Sequence, residues 1–403
     1  MTVETVQEIR SYPFERPLDL AVPDFYKELQ RNGPFKVQLP FGEPIWLVTA
    51  YDDAKLVYGD KRFGKELGHG REPLPSMHGH AHNENMIANM DPPRQTRIRR
   101  LALGAFSPGR TKQMVPWVDG LSSDLLDGMA AADQPADFIE RYAWSLPLKV
   151  ITGILGVPET DIPTFRVWVD DLTGPTSTME RRGECWLLLV EYLVGLVAER
   201  RERPTDDLLN DLVHARDDDD RLSEDELINL CMTLLLGGFE TTAAQIGSSV
   251  FTLMKQRELW QELLDTPELL PNALEELWRW IPSFRFGSPM IRFASEDVEL
   301  SGGVTVPAGD PLLVEHQVAN RDESVFPHAD TIDFRRVDPA PHLSFAWGAH
   351  RCLGAHLAHL EVETAIRHLL ERFPNLHLAI PADDVAWSER SFLRSPASLP
   401  LEW

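Results

Sequence analysis

The sequence predicts a mainly α protein with a smaller β region, and three observations carry that reading. Apolar residues recur at helical spacing over residues 114–132, 138–155 and 186–203. Residues 227–254, LINLCMTLLLGGFETTAAQIGSSVFTLM, form an apolar run far longer than an average helix needs. The β-rich segments, by contrast, are short: 35–39, 45–49, 289–294 and 298–306.

Composition narrows the class. With 403 residues, 43% hydrophobic and 25% charged, the chain can bury a sizeable core and is not disordered. Length alone points to two or three domains. A formal net charge of −24 argues against a nucleic-acid binder, which needs Lys and Arg in excess, and against an anionic membrane surface. Three cysteines, Cys185, Cys231 and Cys352, are too few and too odd for a disulfide framework and fit a reducing compartment. Residues 1–20 hold neither the apolar core of a signal peptide nor a span long enough to cross a bilayer, so a cytoplasmic protein is expected.

In chain order, 35–39 and 45–49 are separated by Pro40, Gly42 and Pro44 and read as a hairpin. A helix follows over 51–58, with Asp52 and Asp53 in its first turn where the helix dipole favours acid. Residues 67–90 lack periodicity and carry Met77, Met86 and several His, Gly and Pro, the composition of a binding loop or lid. His78, His80 and His82 alternate, but no nearby carboxylate or cysteine completes a metal set. Asp91-Pro92-Pro93 then starts a helix with proline in its first turn, and Gln95 and Arg99 share one face of it. Breaks fall at Pro135, 156–158 and 174–175, and the acidic run 217–220 reads as a solvated loop.

Ser223 and Glu226 form a capping box that opens the long apolar helix. Gly237 and Gly238 in its interior cost about 1 kcal/mol each against alanine. Thr241 and Thr242 can bond back to helix carbonyls and bend the helix, and Glu240 is an acid in a buried stretch beside that weak point. Further on, Glu276 and Arg279 stand three apart on a helix and can pair. Gly302-Gly303 turns the strand-like run 298–306.

The most informative stretch is 342–360, HLSFAWGAHRCLGAHLAHL. Leu353, Leu357, Leu360, Ala365 and Leu369 recur at helical spacing, which puts Cys352 at a helix N-terminus. The dipole and neighbouring His350 and Arg351 favour a thiolate there. Gly348 and Gly354 let the backbone approach something large and flat, and Phe345 and Trp347 shield the sulfur. A nucleophile, a redox sensor, a metal ligand or a buried inert thiol would all use such a cysteine.

The pattern FxxGxHxCxGA, as Phe345, Gly348, His350, Cys352, Gly354 and Ala355, resembles the haem-binding loop of the cytochrome P-450 superfamily, soluble bacterial type, and several stretches resemble actinobacterial members that tailor secondary metabolites. The resemblance implies that Cys352 ligates the iron of haem b, and that Arg99, Arg292 and His350 contact its propionates. Gln95 stands where the family often has histidine, and Ala346 where glycine is usual. Gly237-Gly238-Phe239-Glu240-Thr241 resembles the oxygen-activation motif, with Glu240 relaying protons and Thr241 hydrogen-bonding the dioxygen under activation. Glu276 and Arg279 resemble the ExxR pair, completed by Arg336. Substrate-facing positions map to Met77, Met86, Thr233, Leu236, Gly237, Phe286, Ser288 and Phe392, a wall suited to a bulky, largely apolar molecule.

The resemblance implies one P-450 domain over 1–403 with a long central helix above the haem. It implies a monomeric monooxygenase of antibiotic or other secondary-metabolite biosynthesis that uses O₂ and takes electrons from a separate ferredoxin and ferredoxin reductase. Radical coupling of two aromatic molecules, a haem protein that does not oxidise, and a peroxide-driven enzyme are the alternatives, and the Glu240–Thr241 pair argues against the last two.

Overall fold

The long apolar helix forms in two pieces. Ser223 caps the first, Glu224–Gly238: its hydroxyl accepts the Glu226 N–H at 3.2 Å, while the Glu226 carboxylate accepts the Ser223 N–H at 3.0 Å. At Phe239 the backbone turns to φ −120°, ψ −49° and leaves the helical region, and Glu240–Lys255 starts afresh. Every residue from Thr242 to Met254 is buried, as an all-round apolar helix requires. The two pieces together are the one stretch among the described residues long and apolar enough to cross a membrane, and most of it lies inside the protein. A computed structural model describes residues 9–14, 20–39, 42–71, 83–104, 106–173, 177–205, 207–214, 222–284, 291–337, 341–388 and 393–403.

Around this axis pack Pro108–Ala130, Ser145–Ile154, Leu270–Trp280 and Ala355–Arg372, which share the largest apolar core with it. Pro108–Ala130 begins on a Ser107 cap with proline in its first turn. Helices also cover Ile162–Thr173, Met179–Glu202 and Leu208–His214, of which the first and last carry no sequence prediction. The single helix expected over 138–155 divides into a π-helical turn, Ile139–Ala143, and a helix, Ser145–Ile154.

The smaller β region is built on a six-stranded sheet, with a further three-stranded sheet of His377–Leu378, Pro400–Glu402 and Ala136–Asp137 and a two-stranded hairpin. The order of the six is Arg10–Ser11, Phe35–Gln38, Ile45–Val48, Pro311–Val314, Arg292–Ala294, Phe63–Gly64. The predicted hairpin pairs antiparallel with Phe35 opposite Leu47, and its second strand runs parallel to Pro311–Val314. The antiparallel pairing of Phe63 with Ala294 brings Lys65, just past one edge strand, near Arg292 on its neighbour. The run 298–306 is a hairpin, Val298–Leu300 and Val304–Val306, turned by glycines at positive φ.

The helix expected at Asp91-Pro92-Pro93 begins later, at Arg94, with both prolines before it. Asp91 does not cap it: its carboxylate accepts the backbone N–H of Lys65 at 2.8 Å and of Glu66 at 2.9 Å, so the acid ties two distant segments together. His78, His80, His82 and the acidic run 217–220 lie outside the described residues.

Gly348 is a glycine that the docking of the cysteine loop requires. It adopts φ +69°, and a Cβ there would lie 2.6 Å from the Tyr58 carbonyl oxygen and 2.8 Å from Gly59 Cα. Its role is to let the cysteine loop dock on the helix Tyr51–Gly59. Gly348→Ala should lower the unfolding free energy by about 1–3 kcal/mol from backbone strain alone. Gly120→Ala, on an exposed helical face with open space around it, should raise it by about 0.5–1 kcal/mol. Urea denaturation of both variants checks the pair of signs.

Candidate active site

Cys352 sits between a short 3₁₀ turn, Gly348–His350, and the helix Ala355–Arg372, whose N-cap is Gly354. The loop is held by the Cys352 N–H, which donates to the Phe345 carbonyl at 2.8 Å. The cysteine is enclosed by protein and yet keeps accessible surface, so it lines an interior cleft instead of filling packed core. Ala346 takes φ +56°, the strained alternative for a non-glycine residue.

The expectation of a ready-made thiolate is corrected. Burial pushes the Cys352 thiol up, and the Gly354 N–H, Arg99 and Arg351 pull it down without winning. His350 supplies no positive charge either. Burial beside Arg292, Lys65 and Arg99 holds its imidazole down to about 2, so it is neutral. Coordination to a metal cation, which deprotonates a thiol outright, would be what ionises this sulfur.

A cluster of cations surrounds the cleft. Arg292 is 1% exposed, stacks 5.7 Å from the Tyr58 ring, and is lowered to about 10 by burial. Arg99 is half-buried, lowered by burial and raised by the nearby sulfur of Cys352. Lys65, 3% exposed, is pushed well below its ordinary value by burial and by Arg292. The sequence gives no sign of Lys65: an ordinary lysine after Phe-Gly becomes a site residue only through the pairing of Phe63–Gly64 with Arg292–Ala294. Among the described residues, Arg292 Nη2 and His350 Nε2 are buried with no hydrogen-bond partner. Gln95 differs: its amide donates to the Ala349 carbonyl at 2.7 Å, so it anchors the cysteine loop.

Behind the loop, Glu276 accepts two bonds from Arg279, both at 2.7 Å, with the two side chains 4% and 2% exposed. Arg336 Nε reaches both Glu276 oxygens at 3.2 Å, and the Asp333 N–H adds a bond at 3.0 Å. Arg335, by contrast, pairs with Glu262 on the surface. Burial raises the Glu276 carboxyl, but Arg279, the Asp333 amide and Arg336 outweigh it and leave it below the usual range.

On the central helix, the Thr241 hydroxyl donates to the Gly237 carbonyl at 2.9 Å, and Glu240 is buried as the first residue after the break. A Cβ on Gly237 would meet nothing within 4 Å, whereas one on Gly238 would strike Ile151 at 2.9 Å. Of the two glycines, one faces open space and the other allows close helix packing. Thr233 spends its proton on the Asn229 carbonyl at 2.7 Å, Leu236 belongs to the main core, and Met86 is half-buried before the turn Ile87–Asn89. Met77, Phe286, Ser288 and Phe392 lie outside the described residues.

Comparison with known proteins agrees with this geometry. The family model described as Cytochrome P450 matches residues 23–396. The mycinamicin IV hydroxylase/epoxidase of Micromonospora griseorubida is 42% identical over 99% of this chain and all of its own length. The nocardicin C N-oxygenase of Nocardia uniformis subsp. tsuyamanensis is 41% identical, again over 99% of this chain and all of its own. Among solved structures, cytochrome P450mel 107F1, with biaryl coupling reactivity, superposes with a TM-score of 0.92 at 38% identity, covering 98% of this chain and all of that one. The chain belongs to the cytochrome P450 family. It is an oxidoreductase of the monooxygenase class, whose cofactor is an iron haem held by a cysteine thiolate.

The residues present fit that group. Cys352 opens onto an interior cleft, a Cβ on Gly354 would meet no protein atom within 4 Å, and the buried, unpartnered nitrogens of Arg292 and His350 suit the carboxylates of a haem, His350 through the tautomer that protonates Nε2.

Two outcomes test the site. Cys352→Ser should abolish the ferrous carbon monoxide band diagnostic of thiolate ligation, read in a reduced, CO-saturated spectrum; persistence of the band would reassign the ligand to Cys185 or Cys231. Glu276, with its folded value depressed, adds stability that is fully present above its unfolded pKa of about 4.3 and is lost as pH falls through the lower folded value. Glu276→Gln should therefore cost about 3–5 kcal/mol at neutral pH, and the deficit should shrink toward acid pH in a denaturation series.

Proposed function

We propose that the chain binds haem b through Cys352, with Arg99, Arg292 and His350 facing its carboxylates, and inserts oxygen into a bulky, largely apolar natural-product intermediate. The observation that carries this reading is the break at Phe239, with the open face of Gly237 on one side and, on the other, the buried Glu240 and the half-buried Thr241. When bound, haem supplies reductive activation of O₂ at a thiolate-held iron. The chain's own residues do the rest. Glu240, buried next to the break, relays a proton toward the cleft. Thr241, anchored by the Gly237 carbonyl, offers its hydroxyl oxygen as the next station for that proton. The Glu276–Arg279–Arg336 cluster supports the cysteine loop from behind.

Relatives that act on mycinamicin and nocardicin support a natural-product substrate, and the absence of a small side chain's bulk at Gly237 supports a large one. Met77, Met86, Thr233, Leu236, Gly237, Phe286, Ser288 and Phe392 are proposed as its wall. Electrons come from a separate ferredoxin and its reductase. A monomer of one domain in the cytoplasm completes the proposal, supported by three cysteines that are all unpaired. The biaryl-coupling relative favours a second reading, in which two aromatic molecules held together are joined by radical coupling.

Thr241→Ala should keep substrate binding and divert electrons to peroxide, lowering product formed per reduced nicotinamide consumed by an order of magnitude, about 1.4 kcal/mol in the partition. Unchanged coupling would remove Thr241 from proton delivery. Gly237→Phe should abolish substrate-induced spin-state shifts and leave the carbon monoxide band intact. Retained tight binding, or a preference for small polar acids in a spin-shift screen, would overturn the picture of the pocket. Product analysis with one candidate substrate separates added oxygen from a dimer of unchanged oxygen content.

A further inference from the structure

Glu275, next to the buried Glu276, turns outward and meets two imidazoles that the proposed chemistry does not use. Its Oε1 lies 2.8 Å from His359 Nε2 and its Oε2 lies 3.2 Å from His342 Nε2. The three residues come from three places: the helix Leu270–Trp280, the start of the cysteine loop, and the helix Ala355–Arg372. They line one side of an open cavity of about 810 Å³ together with Trp347, Arg351 and His356. The Phe345 ring packs against both imidazoles, at 4.9 Å from His359 and 5.7 Å from His342.

Hydrogen-bond chemistry makes this cluster unusual. His359 Nδ1 is 2.7 Å from the Ala355 carbonyl, which only accepts, so Nδ1 carries a proton. A neutral ring would then aim the lone pair of Nε2 at a carboxylate oxygen 2.8 Å away, which also only accepts. Two lone pairs at that distance repel. The contact needs a positive charge on or between the two atoms, either a second ring proton or a metal ion. Hydrogen bonds from His342 and His359 hold the Glu275 carboxyl well below its usual range, so it stays anionic and available.

We propose that Glu275, His342 and His359 form a binding site for a divalent transition-metal cation of the zinc type. Two imidazole nitrogens and one carboxylate oxygen are a donor set that zinc accepts, with water from the open cavity as the fourth ligand. The three ligand atoms lie within 4.8 Å of one another. Tetrahedral zinc wants them about 3.3–3.5 Å apart, so its entry lengthens the two Glu275 contacts of 2.8 and 3.2 Å, which rotation of the half-exposed Glu275 side chain allows. The Ala355 carbonyl on His359 Nδ1 is the outer partner that fixes a ligating imidazole and raises its basicity. His342 opposes binding in part: the Ser344 N–H donates to its Nδ1 at 3.2 Å, so ligation through Nε2 moves the ring proton to Nδ1 and opens that bond.

Zinc chloride titrated calorimetrically into haem-loaded, tag-free protein should show one saturable site per chain. His359→Gln and Glu275→Gln should each weaken it about ten-fold or more, with the carbon monoxide band of both variants unchanged as evidence of folding. The alternating His78, His80 and His82 are the rival ligands, and their triple replacement by Gln should leave the site intact. No saturable site at all would mean that a proton alone bridges His359 and Glu275. That result, or loss of binding in the triple variant with His359→Gln unaffected, overturns the proposal.

Discussion

The carboxylate of Glu276 is the interaction on which the rest of the site depends. It is buried, it accepts from Arg279, Arg336 and the Asp333 amide, and Arg279 in turn donates to the Asn320 and Ala329 carbonyls. Asn320 passes the connection on, with its amide oxygen accepting the Leu343 N–H at 2.7 Å and its amide nitrogen bonding Ser344 Oγ at 2.9 Å. Three hydrogen bonds thus separate a charge in the helical core from the loop that carries Cys352. Such a cluster contributes little net stability over a well-packed apolar alternative, but losing one member leaves uncompensated buried charge. Its value lies in fixing one geometry for a loop whose Leu343 and Ala346 are buried in the apolar core.

The cations around the cleft obey the opposite rule. Burial, with Arg292, Lys65 and Arg99 nearby, holds His350 neutral, and burial acts against each of those cations as well. Within the polypeptide this is an excess of positive charge, relieved only in part by Asp91, which lies near Lys65 and Arg292. An anionic cofactor that binds the folded chain offsets that excess and stabilises the fold by mass action. The Glu276 cluster therefore stabilises the protein's own conformation, while the cleft is organised for something it must acquire.

Much of this was legible in the sequence because the signals were local. The hairpin, the Ser223–Glu226 box, the Glu276–Arg279 pair and the weakened turn at Gly237 all depend on neighbours within four residues or on a short turn. What was not legible depends on pairing across the chain. Lys65 enters the cleft because of strand order, Asp91 leaves its helix to bind amides 25 and 26 residues away, and Gly348 answers to the backbone of Tyr58. The ionisation of Cys352 shows both sides: the flanking arginine and the nearby helix end were readable, but the burial that outweighs them belongs to the fold. Two sequence readings of glycine also needed sorting, since Gly348 serves docking and Gly354 faces open space.

The break at Phe239 has a consequence for how such a protein can diversify. A continuous helix transmits any shift of register from one end to the other. Here the joint interrupts the helix, so the register of 224–238 need not fix that of 240–255, although both pieces pack in one core. Sequence change at Gly237, which faces open space, need not disturb Thr242–Met254, every residue of which is buried.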